Sequence, residues 1–139
     1  MAKKEKRRSM EMEKIEKPWG FEIIWAKTED YVGKLLHINA GHRLSKQYHQ
    51  IKEETVYVVK GILYNYDKDD IPIRILPGQS FHVKPYQIHR FGAVESNVEI
   101  IEVSTPHLGD VVRLSDDYNR EDKLPSEEEE ELYRIYGGD

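Results

Sequence analysis

The chain has 139 residues, enough for one domain with a single hydrophobic core, and it carries 38% hydrophobic and 34% charged residues at a formal net charge of -5. It contains no cysteine, which excludes disulfides, thiolate metal ligands and a catalytic thiol. Because no apolar run approaches the roughly 20 residues of a membrane-spanning helix and no apolar segment follows the basic N-terminus as in a secretory signal, we expect a cytoplasmic protein without a membrane partner.

A basic leader precedes the predicted domain. Residues 1–14 hold six Lys or Arg and three Glu, and we expect this segment to be disordered. Its basic stretch, residues 3–8, is also compatible with a nucleic-acid-binding arm. The leader has no aromatic residue and the rest of the chain is not basic, so no nucleic-acid partner is expected.

Residues 15–120 are predicted to form one all-β domain. Short segments rich in Val, Ile, Tyr and Phe alternate with turn-forming Gly, Pro, Asn and Asp, a pattern typical of strands. The predicted strands cover residues 21–25, 34–38, 44–49, 55–59, 62–66, 71–76, 80–84, 88–91, 98–104 and 111–114. Short strands at this spacing favour a barrel or sandwich closed on itself. Strand 21–25 is the predicted edge, where sheet extension or strand exchange would form a homodimer.

An acidic helix is predicted for residues 121–139. Ser126 and Glu129 have the spacing of a capping box. Leu132, Ile135 and Tyr136 then recur at helical spacing. This apolar stripe is expected to dock on the barrel or on a partner subunit.

Four polar side chains have the spacing of a metal site. Gln47 and His49 are two residues apart on one predicted strand, so both side chains leave the same face. Glu54 opens the next strand, and His89 belongs to a separate hairpin. In a barrel these segments meet, and their imidazoles, carboxylate and amide oxygen suit one divalent metal such as Zn, Mn, Fe, Co or Ni. The alternative is a set of ordinary polar side chains on a solvated face.

The spacing of these residues resembles the two motifs of the cupin superfamily. The segment from Gly41 to Gly61 follows the first motif, G-x5-H-x-H-x4-E-x6-G, with Gln47 in place of its first His. Counted from Gly78, His89 occupies the metal-binding position of the second motif, G-x5-P-x-G-x2-H-x3-N. Three other positions of the second motif differ, and they hold Lys84, Tyr86 and Ala93. The resemblance implies a single-domain cupin, a double-stranded β-helix or jelly-roll barrel, followed by the short C-terminal helix.

A closer resemblance covers residues 17–120. The segments that carry it are Lys17-Pro18-Trp19-Gly20, Arg43-Leu44-Ser45, Gln47-x-His49, His89-Arg90 and Asp116-Asp117-Tyr118-x-Arg120. Their order is similar to that of the type II mannose-6-phosphate isomerase domain, which also forms the C-terminal part of bifunctional GDP-mannose pyrophosphorylases. In that family the first cupin His is also Gln, and Lys34 and Glu102 match family positions by their surroundings.

This resemblance implies a metal-dependent aldose–ketose isomerase that acts on a sugar phosphate such as mannose 6-phosphate. The expected cofactor is one divalent metal, with Zn first, which would stabilise the enediolate formed between C1 and C2. Cations that could hold the phosphate are Arg90, Arg120, Arg43, Lys34 and Lys84. The expected catalytic residues are His82 or Lys84, one of which would relay the proton, and Arg120. Trp19 would line the pocket.

Other interpretations of these residues stay open at this point. Arg43 is equally compatible with a surface ion pair, and for His82 a surface ion pair is the favoured interpretation. A Trp such as Trp19 is more often a core residue. A non-catalytic or regulatory cupin that binds a sugar or sugar phosphate would carry the same residues. So would another metal-dependent cupin enzyme, such as an oxygenase or lyase, although Gln47 counts against an oxygenase because those sites use more His.

Overall fold

A computed structural model describes residues 12–120 of the chain, and within them the backbone forms strands and no helix. The strands are β1 (Glu13–Lys17), β2 (Gly20–Lys27), β3 (Val32–Ile38), β4 (Lys46–Tyr48), β5 (Glu54–Lys60), β6 (Leu63–Tyr66), β7 (Pro72–Ile75), β8 (Ser80–Val83), β9 (Phe91–Gly92), β10 (Val98–Ser104) and β11 (Val112–Ser115). The predicted all-β fold is confirmed. The predicted C-terminal helix and most of the leader lie outside the described residues. No helix within the described part of the chain could cross a membrane.

Two layers of antiparallel strands form the jelly roll. The larger layer is a six-stranded sheet in the order β1-β2-β3-β10-β5-β8. The smaller layer combines a two-stranded sheet, β11-β4, with a three-stranded sheet in the order β7-β6-β9. Isolated bridges between Gln47 and His89 and between Arg43 and Gly92 connect these two groups of strands. The bridge at Gln47 and His89 is where the second layer passes the candidate site.

The hydrophobic core lies between the layers. From the larger sheet, Leu36, Val56 and Ile100 point inward, and from the smaller layer Leu63 and Phe91 meet them. All five are buried, which follows from the alternation of side chains along each strand. At about 25 cal/mol for each Å² removed from water, a core of this kind supplies most of the driving force for folding.

Strand β1 is a difference from the sequence prediction. It begins at Glu13, inside the segment expected to be a leader, and pairs with β2 in a register that places Ile15 opposite Glu22. It was missed because its sequence, Glu-Lys-Ile-Glu-Lys, contains one apolar residue. The predicted edge at residues 21–25 is therefore wrong, since β1 covers β2 and forms the edge itself. The homodimer stays a prediction.

Candidate metal centre

Three of the four predicted metal ligands lie together in the barrel interior. His49, Glu54 and His89 are all buried, and one donor atom from each lies within 4.8 Å of the others. The Nε2 atoms of His49 and His89 are 2.8 Å and 3.9 Å from Oε2 of Glu54. Two imidazoles and a carboxylate at this separation have the composition of a catalytic metal site that keeps a position open.

Backbone carbonyls orient both imidazole rings. Nδ1 of His49 lies 2.6 Å from the carbonyl oxygen of Asp110, and Nδ1 of His89 lies 3.0 Å from that of Gln87. A carbonyl only accepts, so each Nδ1 must donate its hydrogen, which leaves Nε2 as the ring atom that faces Glu54 and is available to a metal. Metal-binding His residues in proteins are oriented in this way. Burial lowers the pKa of His89 to about 4, which keeps its ring neutral and able to bind a metal.

The contact between His49 and Glu54 is not a hydrogen bond. Although the two atoms are 2.8 Å apart, Nε2 of His49 has no aligned hydrogen-bond partner among the described residues. Burial by itself raises the pKa of Glu54, but the positive charge of the Lys52 ammonium, 3.6 Å from Oε2, opposes this effect, and the pKa of Glu54 lies well below its ordinary value. A charged carboxylate facing an orphaned imidazole nitrogen fits a divalent cation between them. The triad is therefore a candidate metal site.

Gln47, the fourth predicted ligand, lies beside the triad. It exchanges backbone hydrogen bonds with His89, with N–O distances of 3.0 Å and 2.9 Å, and it lines the same cavity as the triad. Its Nε2 donates to Oγ of Ser45 at 2.8 Å. This bond fixes the amide so that its oxygen remains the group available to a cation, and its role as ligand stays a prediction.

A tyrosine in a left-handed conformation keeps His89 in register. Tyr86 has φ of 66° where the second cupin motif has Gly, a conformation that a bulky residue rarely adopts. Its backbone N–H donates to the carbonyl of His49 at 2.7 Å, and its ring stacks on Tyr48 with centroids 5.8 Å apart. These contacts compensate for the missing glycine, so the departure from the motif does not displace His89.

The triad opens into a cavity of about 350 Å³ between the two layers. Strand β1 forms part of its wall through Glu13, Ile15 and Lys17. Trp19, from the turn between β1 and β2, also lines it and is buried. This volume falls in the range of small-molecule sites.

Buried charged side chains extend from the triad along the floor of the larger sheet. Nζ of Lys52 lies 3.0 Å from Oε2 of Glu102, and Nζ of Lys34 lies 3.1 Å from Oε2 of Glu22. Glu102 and Lys34 are direct partners across β10 and β3. All four side chains line the cavity. A ligand there meets alternating positive and negative groups next to the candidate metal.

The other predicted site residues divide into two groups. Trp19, Lys34 and Arg120 line the cavity, whereas Arg43, Arg90, His82 and Lys84 do not. The guanidinium groups of Arg43 and Arg90 both bind Asp117, at 2.6 Å and 3.0 Å. His82 pairs with Glu53 on an exposed edge, and the side chain of Lys84 is exposed. Substrate contact by these four residues stays a prediction that their positions do not favour.

Some residues of the cavity were not singled out as site residues from the sequence. Lys52, Glu22 and Arg113 line it, and Glu102 had been noted only for its match to the family. The signal for Lys52 was present, because it stands two residues before Glu54 and alternation places both side chains on one face. Glu22 and Arg113 gave no such signal, since neither lies near a ligand in the sequence.

Comparisons with known proteins agree with the fold. The structure of KdgF from Halomonas sp. is similar, with a TM-score of 0.61 at 21% identity over 70% of this chain and 88% of that one. The structure of a cupin-like protein from Thermotoga maritima is similar with a TM-score of 0.62 at 18% identity, over 83% of this chain and 82% of that one. The structure of a sugar phosphate isomerase of the cupin superfamily from Silicibacter pomeroyi is similar with a TM-score of 0.53 at 17% identity, over 60% of this chain and 59% of that one.

The sequence itself identifies the family. No curated protein sequence matches the chain. The profile of the family described as mannose-6-phosphate isomerase, C-terminal, matches residues 4–117, which span the whole described barrel except its last turn. The chain therefore belongs to the mannose-6-phosphate isomerase C-terminal family, and its structure is that of a cupin.

Proposed function

We propose that the protein is a metal-dependent aldose–ketose isomerase of sugar phosphates, with mannose 6-phosphate and fructose 6-phosphate as the first substrates to test. The observation that supports this most is the buried triad of His49, Glu54 and His89 facing a cavity with charged side chains. Membership of the mannose-6-phosphate isomerase C-terminal family supports the same substrate class.

One divalent metal, with Zn first and Mn, Fe, Co or Ni as alternatives, is proposed to bind His49, Glu54 and His89, with Gln47 as a fourth ligand. When bound, such a metal polarises the carbonyl group and stabilises negative charge on the substrate oxygens. Neutral imidazoles and a carboxylate suit borderline divalent ions of this kind.

The chain itself would supply the proton transfer. Isomerisation moves a hydrogen between C1 and C2 of the open-chain sugar, so one base must remove a proton and return it to the adjacent carbon. We assign this role to Glu102, which lines the cavity and is separated from Glu54 by the Lys52 ammonium. Burial, reinforced by the charge of Glu54, raises the pKa of Glu102, which makes this carboxyl a better base than an exposed one.

Lys52 would act beside Glu102 as a fixed positive charge. It is buried, and it therefore stabilises negative charge on a nearby substrate oxygen more strongly than an exposed lysine would. Its ammonium group also lies between two carboxylates. Nζ is 3.0 Å from Oε2 of Glu102 and 3.6 Å from Oε2 of Glu54. Lys34 and Glu22, further along the cavity, would contact the hydroxyl groups of the sugar.

The test is turnover and metal content measured together. Purified protein loaded with Zn or Mn should interconvert mannose 6-phosphate and fructose 6-phosphate, followed by NMR, and a chelator should abolish this conversion. His49→Ala should lose metal and turnover together, whereas His82→Ala, an exposed His away from the cavity, should keep both. A metal-loaded protein that binds a hexose phosphate but isomerises none would overturn the proposal in favour of a non-catalytic sugar-phosphate-binding cupin.

A further inference from the structure

Arg113 is a half-buried cation in the cavity wall with an unused hydrogen-bond donor. It lies on β11 and lines the same cavity as the triad. Its Nε atom is buried and has no hydrogen-bond partner among residues 12–120. A buried donor without a partner destabilises the folded chain, so no bond to Nε holds this guanidinium in place, and the side chain can turn toward an anion in the cavity that it lines.

The other arginines near the site differ from Arg113. Arg43 and Arg90 share the carboxylate of Asp117. Arg120 also lines the cavity, but its Nε and Nη2 atoms both donate to the carboxylate of Asp116, at 2.7 Å and 2.9 Å. Within the described part of the chain no carboxylate forms an ion pair with Arg113. Its guanidinium can therefore bind an anion without first breaking a bond to any residue of the described barrel.

The strand register sets the distance between Arg113 and the triad. Arg113 is the direct partner of Gln47 across β11 and β4, and Gln47 is the direct partner of His89. The three side chains form one row on the cavity side of the smaller layer. Two strand spacings separate the ends of this row, about 10 Å between backbones. A ligand with its reacting oxygens at the triad and an anionic group a few bonds away would reach the Arg113 guanidinium.

The charge of the cavity favours an anionic ligand. Among the described residues, six Lys or Arg and four Glu side chains line it, an excess of two positive charges in a chain whose formal net charge is -5. A divalent metal at the triad would increase this excess. Cationic clefts of this kind attract anions and orient them.

We propose that Arg113 binds the phosphate group of the ligand whose sugar oxygens face the triad. The guanidinium presents planar paired donors, which match two oxygens of a phosphate monoester. The identity of the sugar rests on the proposed function, but anion binding by Arg113 requires no turnover. The ligand class that follows is an open-chain aldose or ketose with a phosphate remote from its carbonyl group.

Calorimetry on the metal-loaded full chain tests this assignment. Arg113→Gln should weaken binding of mannose 6-phosphate by roughly 10- to 100-fold, the loss expected for one charged hydrogen-bonded pair. Arg113→Lys should recover part of that loss, and Arg74→Gln, an exposed arginine on β7, should leave affinity unchanged. Mannose, which lacks the phosphate, should bind Arg113→Gln and the wild type equally.

Thermal unfolding of the metal-loaded protein without sugar phosphate supplies the second measurement. Because Arg113→Gln removes a buried donor without a partner, its Tm should equal or exceed that of the wild type. Unchanged affinity for mannose 6-phosphate in Arg113→Gln would overturn the assignment, and a lower Tm with unchanged affinity would place Arg113 in fold maintenance instead. A wild type that binds mannose 6-phosphate through Arg113 but never isomerises it would overturn the isomerase proposal and leave this one standing.

Discussion

The ammonium group of Lys52 lies between two buried carboxylates, 3.0 Å from Oε2 of Glu102 and 3.6 Å from Oε2 of Glu54. All three side chains are buried, so water does little to screen their charges. Burial disfavours the charged ammonium, but Glu102 and Glu54 outweigh this effect and raise the pKa of Lys52. One lysine thus connects the candidate metal ligand to the proposed base.

We expect Lys52→Met to destabilise the protein strongly. Removing the cation leaves Glu102 and Glu54 buried without their shared partner, and breaking a buried pair in this way costs about 3 kcal/mol or more. Urea denaturation of wild type, Lys52→Met and Lys60→Met would measure the loss, with exposed Lys60 as the matched control. Added Zn should reduce the loss, because a divalent cation at Glu54 replaces part of the missing charge. Equal unfolding midpoints for all three proteins would contradict this account.

The sequence was sufficient for the fold and for two residues of the candidate metal triad, because these depend on local spacing. Gln47, His49 and Glu54 lie within eight residues of one another, and strand alternation and a short turn determine their faces. His89 depended on the second motif, where Tyr86 stands in place of Gly. Sequence alone could not show that Tyr86 adopts φ of 66° and preserves the turn.

The residues around the triad were harder to predict, because period-2 alternation does not say which face is inside. His82 on β8 and Lys84 just after it were expected to share a face that reaches the site, but His82 is exposed on this edge strand while Val83 points into the core. Glu22, Glu102 and Arg113 come from distant strands, and only the register of the folded sheets brings them to the cavity. Contacts of this kind can be identified only from the tertiary structure.

Metal content should depend on the triad and respond to the fourth ligand. Gln47→His should bind metal at least as tightly as the wild type, because imidazole is a better ligand than an amide oxygen for Zn and similar ions. Gln47→Ala should weaken binding without abolishing it, while Glu54→Gln should reduce it further by removing the negative charge. Elemental analysis after dialysis against graded chelator concentrations would rank the variants. Full metal content in Glu54→Gln would argue against the triad as the binding site.

Part of the loss of folding stability at acid pH should come from protonation of Asp116. Burial raises the pKa of Asp116, but hydrogen bonds from the Arg120 guanidinium and backbone N–H outweigh it, so the folded-state pKa lies below the ordinary value. The stabilisation is therefore complete above the unfolded-state pKa of about 4 and is lost as pH falls through the lower folded-state pKa. Wild type should lose more stability than Asp116→Asn on acidification below pH 4 or so.

Urea denaturation at several pH values would measure that difference. In an Arg120→Gln background the difference should shrink, because the main cause of the pKa shift is gone. A constant difference between wild type and Asp116→Asn across the acid range would show that Asp116 keeps an ordinary pKa in the folded protein.

We also expect a homodimer. Strand β1 forms one edge of the six-stranded sheet, and an open edge can pair with the same strand of a second copy. Light scattering at micromolar concentration should give the mass of two chains, independent of metal and sugar phosphate. A mass of one chain at that concentration would exclude the dimer.

Exchange of hydrogen with solvent would identify the base. Glu102 lines the cavity beside Lys52, whereas His82, a relay candidate from the sequence, is exposed and pairs with Glu53. Because general acid–base catalysis contributes about 10²–10⁴-fold, Glu102→Gln should slow deuterium exchange from D₂O into C1 and C2 by at least 100-fold, measured by NMR. Its metal content and mannose 6-phosphate affinity should stay near wild type, since Gln is isosteric with Glu and Lys52 keeps Glu54 as a partner.

Three further variants serve as controls. Glu102→Asp should retain part of the exchange, because it keeps a carboxylate. Exchange in His82→Ala and Lys84→Met should proceed at the wild-type rate, and slow exchange in either variant with normal exchange in Glu102→Gln would assign the relay to His82 or Lys84 instead.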